Sequence, residues 1–157
     1  MELLPWDEFL KWEPPQVNSI ISQGILDAQT KMFIYGKFGS WKSMIAMHTA
    51  WCISTGRPWF RIPTVKTPTL YAQFEVPKAL LHGRLTKYAA SHNSNKPDKL
   101  MISTELYKKF DNAYGLNELD KDIAKHMTGG VVILDPLYKI ISGNINEAYI
   151  VQKILDN

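Results

Sequence analysis

Cysteine is nearly absent from this sequence, with Cys52 the single thiol among 157 residues. One thiol cannot build an internal disulfide framework and suits a reducing cytoplasm. Cys52 lies in an apolar run, where an inert buried thiol is expected rather than a nucleophile. No cysteine–histidine spacing suggests zinc, and no Ser–His–Asp arrangement follows from the order of residues. No window holds the roughly 18 apolar residues that a membrane span needs. The opening stretch MELLPWDEFLKWEPP has neither the basic start nor the apolar core of a signal peptide. Internal repeats and low-complexity tracts are also missing. These absences lead to the expectation of a soluble, cytoplasmic protein without a membrane partner. The formal charge of +3 is compatible with nucleic acid but falls short of a strong electrostatic footprint.

What is present is alternation. With 45% hydrophobic residues the chain is long enough for one core. Residues 1–17 read as an N-terminal arm, with Trp6, Phe9, Leu10 and Trp12 available to pin it down and Pro14-Pro15 ending any helix. From residue 18 to 157 strands and helices alternate. Lys31–Tyr35 is a short apolar strand candidate running into a glycine turn. Ser43–Thr55 is apolar on nearly every side, as a helix buried on a sheet should be, and Gly56 stops it. Thr69–Phe74 reads as a second strand, and Pro77 opens a helix from Lys78 to about Ser91. Ser91–Lys99 is a polar loop. Leu100–Ser103 is a third strand candidate, and Leu116–Met127 an amphipathic helix. Val131–Leu134 is apolar on both faces, the mark of a doubly covered parallel strand. The expected fold is therefore a three-layer α/β domain with a mainly parallel sheet.

Between the first strand and the first long helix lies Gly36-Lys37-Phe38-Gly39-Ser40-Trp41-Lys42-Ser43. This matches the phosphate-binding loop G-x-x-x-x-G-K-[ST], save that Trp41 stands where the second glycine is required. Successive backbone N–H groups in such a turn form a nest for phosphate oxygens at the positive end of a helix. Lys42 is expected to reach the β- and γ-phosphates, and the Ser43 hydroxyl to ligate Mg²⁺. The expected ATP contacts are Gly36, Lys37, Phe38, Gly39, Ser40, Trp41, Lys42, Ser43 and Met44. At Trp41 only the backbone is needed. If φ is positive there, a bulky residue costs about 1–3 kcal/mol of local strain.

Two carboxylates add to this loop. Asp135 ends VVILDP in the manner of a Walker B element, which holds Mg²⁺ through water. Glu75 ends TLYAQFE and is placed to polarise an attacking water. Taken singly, Asp135-Pro136 also reads as a turn starter, and Glu75 as a solvated acid ahead of a helix. In a parallel sheet, however, the C-terminal ends of all strands share one edge, where ligands bind. A phosphate loop, a candidate base and a metal carboxylate on one rim point jointly to a nucleoside triphosphate site.

With these residues in place, the chain resembles the RecA-type ATPase domain of RepA-like hexameric replicative helicases of plasmids and phages. The resemblance runs from about Asn18 onward and rests on IYGKFGSWKS, TGRPWF, TPTLYAQFE and VVILDPLYK in that order. It implies that Lys42 and Ser43 bind phosphate and Mg²⁺, that Glu75 is the catalytic base alongside Lys42, and that Asp135 belongs to the metal site. It further implies single-stranded DNA as a partner and a hexameric ring of the full-length protein. The family continues past Walker B with a helix, matched by Glu147–Leu155, then a strand with a polar sensor and an arginine finger. The RecA-like domain is therefore expected to be partial at its C-terminal end, with those residues beyond Asn157.

Two other function classes compete. A non-catalytic module would use ATP for assembly or partner recruitment, a reading that Trp41 and the early end favour. A small-molecule P-loop kinase would need an arginine-rich lid, and only Arg57, Arg61 and Arg84 exist. Arg57 and Trp59 read better as a turn and a core aromatic than as base contacts. Lys87, His92, Lys96 and Lys99 read better as a solvated surface than as a DNA track.

Overall fold

The computed structural model describes residues 3–13, 17–92, 96–104, 109–110 and 112–142, with only the backbone of Ala113. A short helix, α1 (Trp6–Lys11), has no buried residue. Trp6, Phe9, Leu10 and Trp12 are all exposed, so the expected pinning of the arm by these side chains is not seen. Next comes an antiparallel ribbon of β1 (Ser19–Ile21) and β2 (Leu26–Asp27). Its inner residues Ile21 and Leu26 pack with Ile53 of helix α2 (Lys42–Thr55).

The remaining elements are β3 (Thr69–Gln73), α3 (Lys78–Ser91), β4 (Leu100–Ser103), α4 (Ala113–His126), β5 (Val131–Asp135) and a 3-10 turn at Leu137–Ile140. Among the described residues the main sheet has the order β4-β3-β5, all parallel. Side chains alternate across a strand, so neighbours on β3 serve opposite layers. Tyr71 packs with Ala46, Met47 and Ala50 of α2 and Leu81 of α3. Ala72 packs on the other side with Phe110 and Ile140, joined by Leu116 and Leu119 of α4. The expected three-layer α/β arrangement is present.

Local chemistry sets the boundaries. Asn112 caps α4 by accepting the Gly115 N–H at 2.8 Å, so this helix starts three residues before its apolar pattern does. Gly56 ends α2 at φ +72°, a left-handed turn that glycine adopts without steric penalty. One expectation fails: Lys31–Tyr35 belongs to no strand. A strand exists through its ladder, and the register of β5 pairs it with β3 rather than with this segment. Apolar composition alone does not supply a partner. The expected helix Glu147–Leu155 lies outside the described residues.

Candidate functional site

The loop before α2 is built around its own carbonyls. Ser40 Oγ donates to the Lys37 carbonyl at 2.7 Å. The Lys42 ammonium donates to the carbonyls of Gly36 at 2.9 Å and Lys37 at 2.8 Å, with Ser40 Oγ 3.5 Å away. The lysine charge thus lies over the turn that the sequence marks as the phosphate cradle. Gly39 has φ +78°, and Trp41 caps α2 at φ +63°, ψ +18°. Position 41 therefore does require the left-handed conformation, and tryptophan adopts it with its side chain 73% exposed. No burial of the indole offsets the strain, which is of order 1–2 kcal/mol for an L-residue. Tyr35 and Phe38 are exposed beside it, and Met44 packs inward against the cluster around Tyr71.

The parallel register then places the acidic groups. Gln73 is the register partner of Asp135 at the C-terminal ends of β3 and β5, so their side chains share the face covered by α2. Asp135 is buried and accepts three hydrogen bonds. Ser43 Oγ donates to Oδ1 at 3.1 Å, while Tyr71 OH and Gln73 Nε2 donate to Oδ2 at 2.7 and 3.0 Å. Burial, and then the Asp135 carboxylate beside it, push the Tyr71 hydroxyl well above its ordinary pKa, so it stays a donor. Glu75 is exposed two residues beyond Gln73, and Tyr138 OH donates to its Oε1 at 2.9 Å. Slight burial and the Glu75 carboxylate raise the Tyr138 hydroxyl as well.

Ser43, Asp135 and Glu75 are thus drawn to one rim, with Lys42 at its loop. The adjacent hydroxyl and carboxylate oxygens of Ser43 and Asp135 suit a hard cation such as Mg²⁺. This ion typically takes one or two protein oxygens and completes its shell with water and phosphate. Among the described residues no group of three or more His, Cys, Asp or Glu could form an all-protein cage. Sequence reasoning missed Tyr71, Gln73 and Tyr138. The available signal was polarity inside an apolar strand: Tyr71 and Gln73 sit at alternate positions of TLYAQF.

The other candidates fall elsewhere. Arg57 donates to the His92 carbonyl at 3.2 Å, and Trp59 Nε1 donates to Thr49 Oγ1 at 2.8 Å. Both are structural contacts, the second of them midway along α2. His92 stacks on Tyr88 at 4.1 Å, while Lys96 and Lys99 precede β4. They therefore lie at the sheet edge opposite the Gly36–Ser43 loop.

Comparison with known proteins bears on this arrangement. A family model described as an AAA domain matches residues 1–157. The chain belongs to this AAA-domain family. As an AAA domain it is a nucleotide-binding, ATPase-like unit, for which Mg²⁺ is a typical companion of the nucleotide. Its parallel sheet between helices is consistent with a RecA-like P-loop fold. Neither the curated proteins nor the solved structures give a match. Among the described residues no helix of this AAA domain is long and apolar enough to cross a membrane.

Proposed function

We propose that this AAA domain binds ATP with Mg²⁺ on the rim formed by the Gly36–Ser43 loop, Glu75 and Asp135, and hydrolyses it. The supporting observation is the 3.1 Å hydrogen bond from Ser43 Oγ to Asp135 Oδ1, between residues 92 positions apart. It sets a loop hydroxyl and a strand-end carboxylate side by side, the oxygen pair that Mg²⁺ chemistry needs. Lys42 neutralises phosphate charge, and Glu75, held by Tyr138, orients the attacking water. The ordered motifs further support a RepA-type replicative helicase domain that acts on single-stranded DNA within a ring of identical subunits.

A fluorescent ATP analogue titrated with Mg²⁺ against the chain and its Lys42→Ala variant tests the binding step. Equal affinity for both would sink it. Phosphate release in the presence of single-stranded DNA tests the rest. The strained Trp41 favours a second reading, a module that binds ATP for assembly without turning it over. That reading expects background phosphate release with intact binding, and robust DNA-stimulated release rejects it.

A further inference from the structure

Gln73 is 1% exposed and lies between the two carboxylates of the rim. Its amide orientation is dictated by its partners. Nε2 faces Asp135 Oδ2 at 3.0 Å, where only a donor fits. Oε1 receives the backbone N–H groups of Glu75 and, at 2.9 Å, Val76, where only an acceptor fits. Flipping the amide would oppose like groups on both sides, so this buried side chain has a single satisfied state. The Phe74 N–H also donates to the Asp135 carbonyl at 2.9 Å, fixing the two strand ends against each other.

We propose that Gln73 is a positioning residue that couples the metal-side carboxylate Asp135 to the backbone of the Glu75 turn. Any change in the placement of Asp135 Oδ2 moves the Gln73 amide, and with it the two N–H groups that aim Glu75. Tyr71 donates to the same carboxylate oxygen and helps to fix its placement, while Gln73 bonds both that oxygen and the turn. The mechanical link stands on these hydrogen bonds alone. Its role in catalysis rests on the nucleotide reading above.

The link is tested first without nucleotide, by NMR hydrogen exchange of the Glu75 and Val76 amides in the full chain. Gln73→Met and Asp135→Ala should each speed exchange at both amides by up to roughly tenfold, as the loss of a net hydrogen bond allows. The double variant should exchange no faster than Gln73→Met alone. Additive effects, or unchanged exchange in Asp135→Ala, would overturn the coupling. Should Gln73→Met fail to fold, the pair Asp135→Asn and Asp135→Ala decides the matter, because the asparagine carbonyl still accepts from Gln73 while its amide can donate to Ser43 Oγ. Asp135→Asn should keep both amides protected where Asp135→Ala speeds their exchange; equal exchange in the two overturns the proposal.

A second arm adds Mg²⁺ to the ATP-bound chain and follows the same two resonances. They should shift in the parent chain and stay fixed in Gln73→Met, both compared at saturating ATP. Equal shifts in both refute the coupling. Loss of ATP binding by the parent chain would instead refute the nucleotide reading, leaving the exchange experiment to decide the mechanical link.

Discussion

The two ends of α2 have nearly the same backbone and opposite chemistry. Trp41 caps the start at φ +63°, ψ +18°, and Gly56 caps the finish at φ +72°, ψ +20°. At the finish glycine takes the left-handed conformation without penalty, close against Lys66. Along the helix before it His48, Cys52, Tyr88 and His92 form a cluster, with His48 Nε2 3.5 Å from the Cys52 sulfur. At the start an exposed tryptophan is held in the same conformation, with no packing to offset it. The difference is instructive: the backbone geometry of a helix end does not dictate glycine. The structural end uses the low-strain residue, while the end that adjoins the Gly36–Ser43 loop carries the strain.

The largest effect should come from removing the charge of the loop itself. Lys42→Ala should weaken ATP binding about 10- to 100-fold, the loss expected for hydrogen bonds to a charged group, while Tm changes little. Calorimetric titration beside a thermal melt separates these two outcomes. Gly56→Ala should do the reverse, lowering stability by about 1–2 kcal/mol and leaving the loop's affinity intact. A Cβ at position 56 would also approach Lys66 Cβ to 3.1 Å. Equal stability of this variant in urea would break the comparison at its structural end.

Trp41→Gly should sharpen the contrast. Relief of the left-handed penalty exceeds the added freedom of glycine in the unfolded chain, for a net gain of roughly 0.5–1 kcal/mol. ATP affinity should rise modestly. A lower Tm would show that the indole contributes contacts that outweigh its backbone strain.

The smallest effect is expected at the His48 cluster and follows pH. Burial, and then the charge of His92, lower the His48 pKa from its ordinary value. The folded form therefore disfavours the imidazolium relative to the unfolded chain, whose histidine titrates near 6.5. This contribution is fully present above pH ~6.5 and is lost as pH falls toward the lower folded value. Thermal melts between pH 7.5 and 5 should show it, and His48→Phe should flatten the dependence. Burial also pushes the Cys52 thiol up to about 11, consistent with an inert thiol rather than a nucleophile.

The same contrast explains what could be read from the chain. The sheet strands and α3 were legible because prolines, glycines and continuous apolar runs bound them, as at Pro68, Pro77 and Val131–Asp135. The ribbon of β1 and β2 was not, because two- and three-residue strands contain too little alternation to stand out. Lys31–Tyr35 looked like a strand because composition reports apolarity and not pairing. Lys42, Ser43, Glu75 and Asp135 were legible as candidates because the phosphate and metal chemistry proposed here would demand those side chains in that order. Tyr71, Gln73 and Tyr138 were hidden because their roles arise only when register sets β3 beside β5 and the 3-10 turn beside Glu75.

Trp41 also gives the loop an optical handle. Of the five tryptophans, Trp6, Trp12 and Trp41 are exposed, while Trp51 is buried and Trp59 lies under its hydrogen bond to Thr49. Iodide in solution should therefore quench emission from the arm and from the loop and spare the rest. On the proposed function, a nucleotide seated in the Gly36–Ser43 turn should shield the loop and leave the arm quenchable. Under the proposed function the strained side chain should thus report nucleotide occupancy of the loop through intrinsic fluorescence, without a label.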